Sequence, residues 1–198
     1  MNQYFTNDPD LAHDEHSFDF TLAGHDLHFT SDNGVFSKHT VDYGSRALIA
    51  VVAETHPQGR LLDVGCGWGP IGLSLAKAQP GLEVVMSDVN ERAMALAKRN
   101  ADANGIQNAQ IVESSVYDQI DGTFDTIVTN PPIRAGKATV SAILAGAFDH
   151  LNQGGSLYAV LQKKQGAPSA KKLMVETFGN AQIVKKDKGY YILQATKA

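Results

Sequence analysis

Leu61-Leu62-Asp63-Val64-Gly65-Cys66-Gly67-Trp68-Gly69, followed by Pro70-Ile71-Gly72, decides the fold. The apolar opening reads as a buried strand, and a glycine-rich turn follows it. Helical periodicity resumes in Ile71, Leu73, Leu75 and Ala76. Glycines at 65, 67 and 69 let the backbone turn tightly and approach a ligand without Cβ atoms in the way. A helix that starts at such a turn presents unpaired N–H groups and the positive end of its dipole to the same ligand.

Two acids sharpen this reading. Asp63 sits inside the strand end, and a second strand, Leu82-Glu83-Val84-Val85-Met86-Ser87-Asp88, closes on another carboxylate. Asp88 follows Gly67 by 21 positions, close to the spacing of roughly 20 residues at which a βαβ unit places a ribose-binding acid. Pro70 occupies the third glycine position of the dinucleotide fingerprint, so Gly65, Gly67 and Gly69 fit that motif poorly. An N-cap before Asn90-Glu91 is the alternative role for Asp88.

Working outward, strand 61–65 feeds helix 70–79, strand 82–88 feeds helix 90–103, and strands 109–113 and 124–129 follow. Helix 137–151 ends before Gly154-Gly155 and leads to strand 156–162, and helix 167–178 to strand 181–186. A Lys188-Gly189 turn then joins strand 190–196. Repeated βα units predict a doubly wound α/β fold with a mostly parallel sheet, and so short a last turn makes the final pair antiparallel. Ahead of this catalytic core (58–198), Phe18–Leu22 and Leu27–Thr30 flank a glycine turn as a β-hairpin. A helix over 42–56 completes a cap (1–57) that is too short to be a separate domain.

Asp63–Gly69 resembles the first motif of class I S-adenosylmethionine-dependent methyltransferases, with Asp88 matching the acid of their second motif. Asn130-Pro131-Pro132-Ile133 resembles the N-P-P-aromatic signature of members that methylate planar nitrogens. Asp32-Asn33-Gly34-Val35-Phe36-Ser37 and Asn130–Lys137 are similar to the small-domain methyltransferases related to the 16S ribosomal RNA guanine-N2 methyltransferases. The likeness runs from the Tyr4-Phe5 region to the final strands and implies a Rossmann-like sheet of seven strands.

The resemblance implies roles for particular residues. Gly65, Gly67 and Gly69 form the loop over the methionine portion of S-adenosylmethionine, Asp63 orients its amino group directly or through water, and Asp88 takes both ribose hydroxyls. Ser115 stands where relatives carry an acid for the adenine amine, with Val89 and Val116 as apolar contacts. Asn130 and the Pro131 carbonyl accept the N–H groups of the target amine, and Pro131 and Pro132 stiffen that loop. Ile133 replaces the usual stacking aromatic, which points to Phe36 as the substitute. Arg134 and Lys137 are placed to meet phosphates. For Phe36 a core position, and for Arg134 and Lys137 a solvated loop, remain open.

Composition is that of an ordinary globular protein, with 43% hydrophobic and 19% charged residues, so disorder is not expected. No apolar run suggests a membrane span, the acidic N-terminal stretch is unlike a signal peptide, and the single Cys66 forms no internal disulfide. These features fit a cytoplasmic protein. No metal is expected: His13/His16 and His25/His28 lack a completing cluster of acids or cysteines. The net charge of −4 conceals a gradient: residues 1–60 carry −6, 61–133 carry −5 and 134–198 carry +7. That basic third serves either as a phosphate-facing patch or as solvated surface.

The reading is an S-adenosylmethionine-dependent N-methyltransferase acting on RNA, foremost a guanine exocyclic amine of ribosomal RNA or the small ribosomal subunit. A protein glutamine, DNA adenine or a small aromatic amine are alternative substrates, and a non-catalytic cofactor-binding module is the alternative class. The ribosomal RNA relatives carry a further N-terminal domain, so the expectation here is the catalytic half alone. Oligomeric state is not legible.

Overall fold

The structure is a computed structural model and describes residues 6–198; Tyr4 and Phe5, where the family likeness begins, lie outside them. Strands β1 (His16–Leu22) and β2 (His25–Ser31) form an antiparallel hairpin, followed by helix α1 (Tyr43–Glu54). Then come β3 (Arg60–Val64), α2 (Pro70–Ala78), β4 (Glu83–Asp88), α3 (Glu91–Ala103), β5 (Ala109–Glu113) and β6 (Phe124–Thr129). The chain closes with α4 (Lys137–His150), β7 (Leu151–Gln162), α5 (Ala167–Phe178), β8 (Gln182–Asp187) and β9 (Tyr190–Thr196). Both hairpin strands run longer than the sequence predicts, because the turn needs only Ala23 and Gly24, each at positive φ.

Seven strands form one sheet in the order β5-β4-β3-β6-β7-β9-β8, parallel except for β9, which runs against both β7 and β8. Alternating strand residues feed two cores. Leu61, Val84, Met86 and Val128 pack toward α1, α2, α3 and the hairpin, whereas Leu62, Val64, Val85 and Ile127 pack toward α4 and α5.

One predicted boundary shifts. Gly154-Gly155 does not separate helix from strand: α4 passes directly into β7 at Leu151, and the glycines sit where the β6–β7 register slips. Gly154 has φ +80, and a Cβ at Gly155 would come within 3.0 Å of the Asp125 carbonyl oxygen. The pair therefore makes a bulge inside the strand.

The register positions the site. Val64 lies opposite Ser87 on β4 and Thr129 on β6, so Gly65, Asp88 and Asn130 leave the sheet side by side. The chain crosses over in opposite directions on either side of β3, making this the switch point where doubly wound sheets open a crevice. The hairpin is fastened beside it. Asn100 of α3 and its C-cap Asn104 exchange hydrogen bonds with the backbone of Thr30 and His28, and the Asn100 amide also donates to the Trp68 carbonyl at 2.9 Å.

Candidate active site

A cavity of about 320 Å³ lies over the carboxyl ends of β3, β4 and β6. Its wall includes Phe36, Gly65, Gly67, Asp88, Val89, Ser115, Val116, Asn130, Pro131 and Pro132, ten of the residues singled out from the sequence. Gly65 and Gly67 have φ of +73 and +57, a region that side chains rarely adopt. A Cβ at Gly67 would meet no atom within 4 Å, and one at Gly65 would meet only Pro132 Cδ, at 3.9 Å. Both glycines hold room open beside the cavity.

Asp88 is braced from below. Its Oδ2 accepts the Gly67 N–H at 2.7 Å, and its Oδ1 accepts those of Val89 and Asn90 at 2.8 and 2.9 Å. Burial pushes the carboxyl above the usual range, opposed by those N–H groups. The N-cap of α3 is Asn90, which accepts from Ala93 N–H, so Asp88 shapes the loop without capping the helix.

Asn130 is held by the cap. Its Nδ2 donates to Asp42 Oδ2 at 3.2 Å and to Ser45 Oγ at 3.0 Å. Asp42 also caps α1 by accepting the Ser45 N–H at 3.1 Å, and Ser45 is buried. A carboxylate only accepts, so the amide nitrogen must face Asp42, which leaves the Asn130 carbonyl oxygen to the cavity side. The Pro132 carbonyl accepts Ala135 N–H at 2.9 Å, closing a short 3₁₀ turn over Ile133–Ala135. Phe36 also lines the cavity and is 44% exposed, and its carbonyl accepts the Trp68 indole N–H at 2.8 Å.

Five of the residues singled out from the sequence lie off the cavity wall. Asp63 is not on the cavity wall: it is fully buried, with Oδ2 accepting Gly72 N–H at 2.9 Å and Oδ1 unpartnered. Burial lifts its pKa to about 7, against the Gly72 hydrogen bond and helped by the charge of Asp88. Gly69 is a packing glycine at the start of α2, where a Cβ would approach Leu73 Cδ1 to 2.7 Å. Ile133 is half-buried against the core under α4 and α5, and with Lys137 it lines a separate groove between those helices. Arg134 is exposed and also lies off the cavity wall.

Asp42 and Ser45 are the residues that sequence reasoning missed. Asp42 falls within the expected helix and is its N-cap, and nothing local marks its second bond to a residue 88 positions away. His13, Glu15 and Asp32 also come together, with ligand atoms within 4.8 Å, contrary to the expectation that no acids would join the histidines. That trio is occupied within the protein: Arg99 holds Glu15, while His13, Arg92 and the N–H groups of Asp14 and Asn33 surround Asp32. Cys66 lines the cavity as a buried thiol whose pKa burial drives up, the opposite of nucleophile activation.

The family model described as methyltransferase small domain matches residues 26–194. The uncharacterized protein YbxB of Bacillus subtilis is 48% identical over 196 residues, 98% of each chain. Ribosomal RNA small subunit methyltransferase C of Serratia proteamaculans is 34% identical over 178 residues, 88% of this chain and 50% of that one. Among solved structures, the T. thermophilus 16S rRNA N2 G1207 methyltransferase (RsmC) in complex with AdoMet and guanosine superposes with a TM-score of 0.84 at 29% identity. That match covers 93% of this chain and 51% of the other. The chain thus spans about half the length of these two RNA methyltransferases. Among the described residues, no helix is long and apolar enough to cross a membrane.

Proposed function

Since this chain belongs to the methyltransferase small domain family and is an S-adenosylmethionine-dependent methyltransferase, we propose that its target is the exocyclic amine of a guanine in ribosomal RNA. The observation that carries this reading is the Asn130 amide, tied by its nitrogen to Asp42 and Ser45 with its oxygen left to accept. An amine conjugated to a ring is a poor nucleophile because its lone pair is delocalised. Asn130 Oδ1 and the Pro131 carbonyl accept its two N–H bonds, draw the nitrogen toward tetrahedral geometry and steady the developing positive charge. The proline pair fixes these acceptors in place, and Phe36 offers the planar base an apolar face.

The cavity suits the cofactor. Gly65 and Gly67 keep open a space that would take its methionine portion, Asp88 would receive the ribose hydroxyls, and Val89 and Val116 on the same wall would give the adenine apolar contact. Ser115 is exposed on the cavity wall and would offer its hydroxyl to the adenine amine. Asp63 contributes from beneath the loop through its unpartnered Oδ1, which suits a water bridge to the cofactor's ammonium. When bound, S-adenosylmethionine supplies an electrophilic methyl group on a sulfonium. No side chain need act as nucleophile: the residues orient the amine, and its proton leaves to solvent after transfer.

Tritiated-methyl transfer to unmethylated ribosomal RNA, 30S subunits, DNA and release-factor protein tests the proposal. Label in RNA that digestion releases as N2-methylguanosine is the expected result. Label confined to protein or DNA overturns the choice of substrate.

A further inference from the structure

Charge is segregated along the rim on which the cavity opens. The ends of β4 and β5 and the segments after them present Asp88, Glu91, Glu113 and Asp118, while Arg92 on that side is held by Asp32 and by the carbonyls of Leu11 and Asn33. The other half of the rim is basic. Arg134 and Lys137 follow β6, and Lys163 and Lys164 follow β7. Because β9 runs against β7, the β8–β9 turn returns Lys186 and Lys188 to the same edge, where the Lys163 N–H donates to the Gly189 carbonyl at 2.8 Å. All six cations are exposed. Acids barely dilute them: Asp149 lies at the opposite edge, Glu176 pairs with Lys172, and Asp187 accepts the Tyr43 hydroxyl. Asn130 stands at the boundary between the two halves.

Resting on the RNA reading above, we propose that this β6–β7–β8/β9 edge is the surface that holds the substrate's phosphate backbone, with the strand running from Arg134 and Lys137 across Lys163 and Lys164 to Lys188. A cationic sulfonium cofactor suits the acidic half and a polyanion suits the basic half, so the two substrates approach Asn130 from opposite sides. The contacts carry no sequence information; they set the register of the strand while the cavity reads one base.

The test compares the wild type with the triple variant Lys163→Ala/Lys164→Ala/Lys188→Ala, and with Lys98→Ala/Lys197→Ala as a charge control away from this edge. Anisotropy of a labelled ribosomal RNA fragment is followed across salt, with S-adenosylmethionine affinity and transfer to the RNA measured in parallel. The triple variant should lose about tenfold or more in RNA affinity and flatten the log–log salt slope by roughly 2, near 0.7 per lost phosphate contact. Cofactor affinity should be unchanged, and the control should match the wild type. An unchanged slope in the triple variant, with RNA still methylated, overturns the surface and leaves the substrate reading intact. An equal loss in the control reduces the surface to net charge and also overturns it. If the wild type neither binds nor methylates RNA, the substrate reading fails first and the surface falls with it.

Discussion

The two loops that meet in the cavity are held in different ways. Gly65–Gly67 is fixed by neighbours in its own βαβ unit: the N–H groups of Gly65 and Cys66 donate to the Ser87 carbonyl, and Asp88 takes the Gly67 N–H, while Trp68 beyond them leans on the N-terminal hairpin. Asn130–Pro132 is fixed from far along the chain, by a cap and a buried serine on a helix that precedes the sheet. The glycine turn therefore draws its hydrogen bonds from within one βαβ unit. The acceptor loop is finished only when the N-terminal cap docks. Cofactor binding and turnover should therefore respond to different mutations.

The largest expected effect lies on the acceptor side. Asn130→Ala should lower kcat by about 10²–10³-fold with cofactor affinity unchanged, measured by single-turnover methyl transfer and calorimetry. An intact rate would remove the proposed role of Asn130. Asp88→Ala should do the reverse, weakening S-adenosylmethionine by about 10–100-fold, the scale of losing hydrogen bonds to a charged group. Asp42→Ser separates the two loops more finely. Serine still caps α1 but is too short to hold Asn130, so kcat should fall about tenfold while Tm stays within a few degrees. The same substitution in an Asn130→Ala background should add nothing, and a further loss there would mark Asp42 as merely structural.

Two smaller effects sharpen the cofactor side. Asp63 has a folded pKa of about 7, above its unfolded value of about 3.9. Between those values the folded state binds more protons than the unfolded state, so stability declines as pH rises through that window. Asp63→Asn should flatten the decline, with thermal melts from pH 4 to pH 8 converging on the wild type at the acid end only. Ser115→Asp should tighten the cofactor by a few-fold, because a carboxylate accepts the adenine amine more strongly than a hydroxyl does. No gain would mean that the adenine sits elsewhere.

What could be read from the sequence follows the same division. The strand–glycine–helix pattern, the acid at Asp88 and the closing antiparallel pair are local or periodic signals, and the sheet forms as they imply. Gly69 and Asp63 belong to the motif but turn inward, because a motif specifies residue type and spacing and not which way a side chain faces. Ile133 likewise follows its apolar character and leans, half-buried, against the core. Asp42 and Ser45 were out of reach, since their contacts to Asn130 span 88 and 85 positions and only the docked cap creates them.

Trp68 is the only tryptophan in the chain. It lines the cavity, lies edge-on to Phe18 and Phe29, and donates its indole N–H to the carbonyl of Phe36, another residue of the wall. The molecule thus carries its own optical probe: filling the pocket alters the surroundings of a single shielded indole. Emission titrations with unlabelled compounds would then rank candidate ligands before any turnover assay is available.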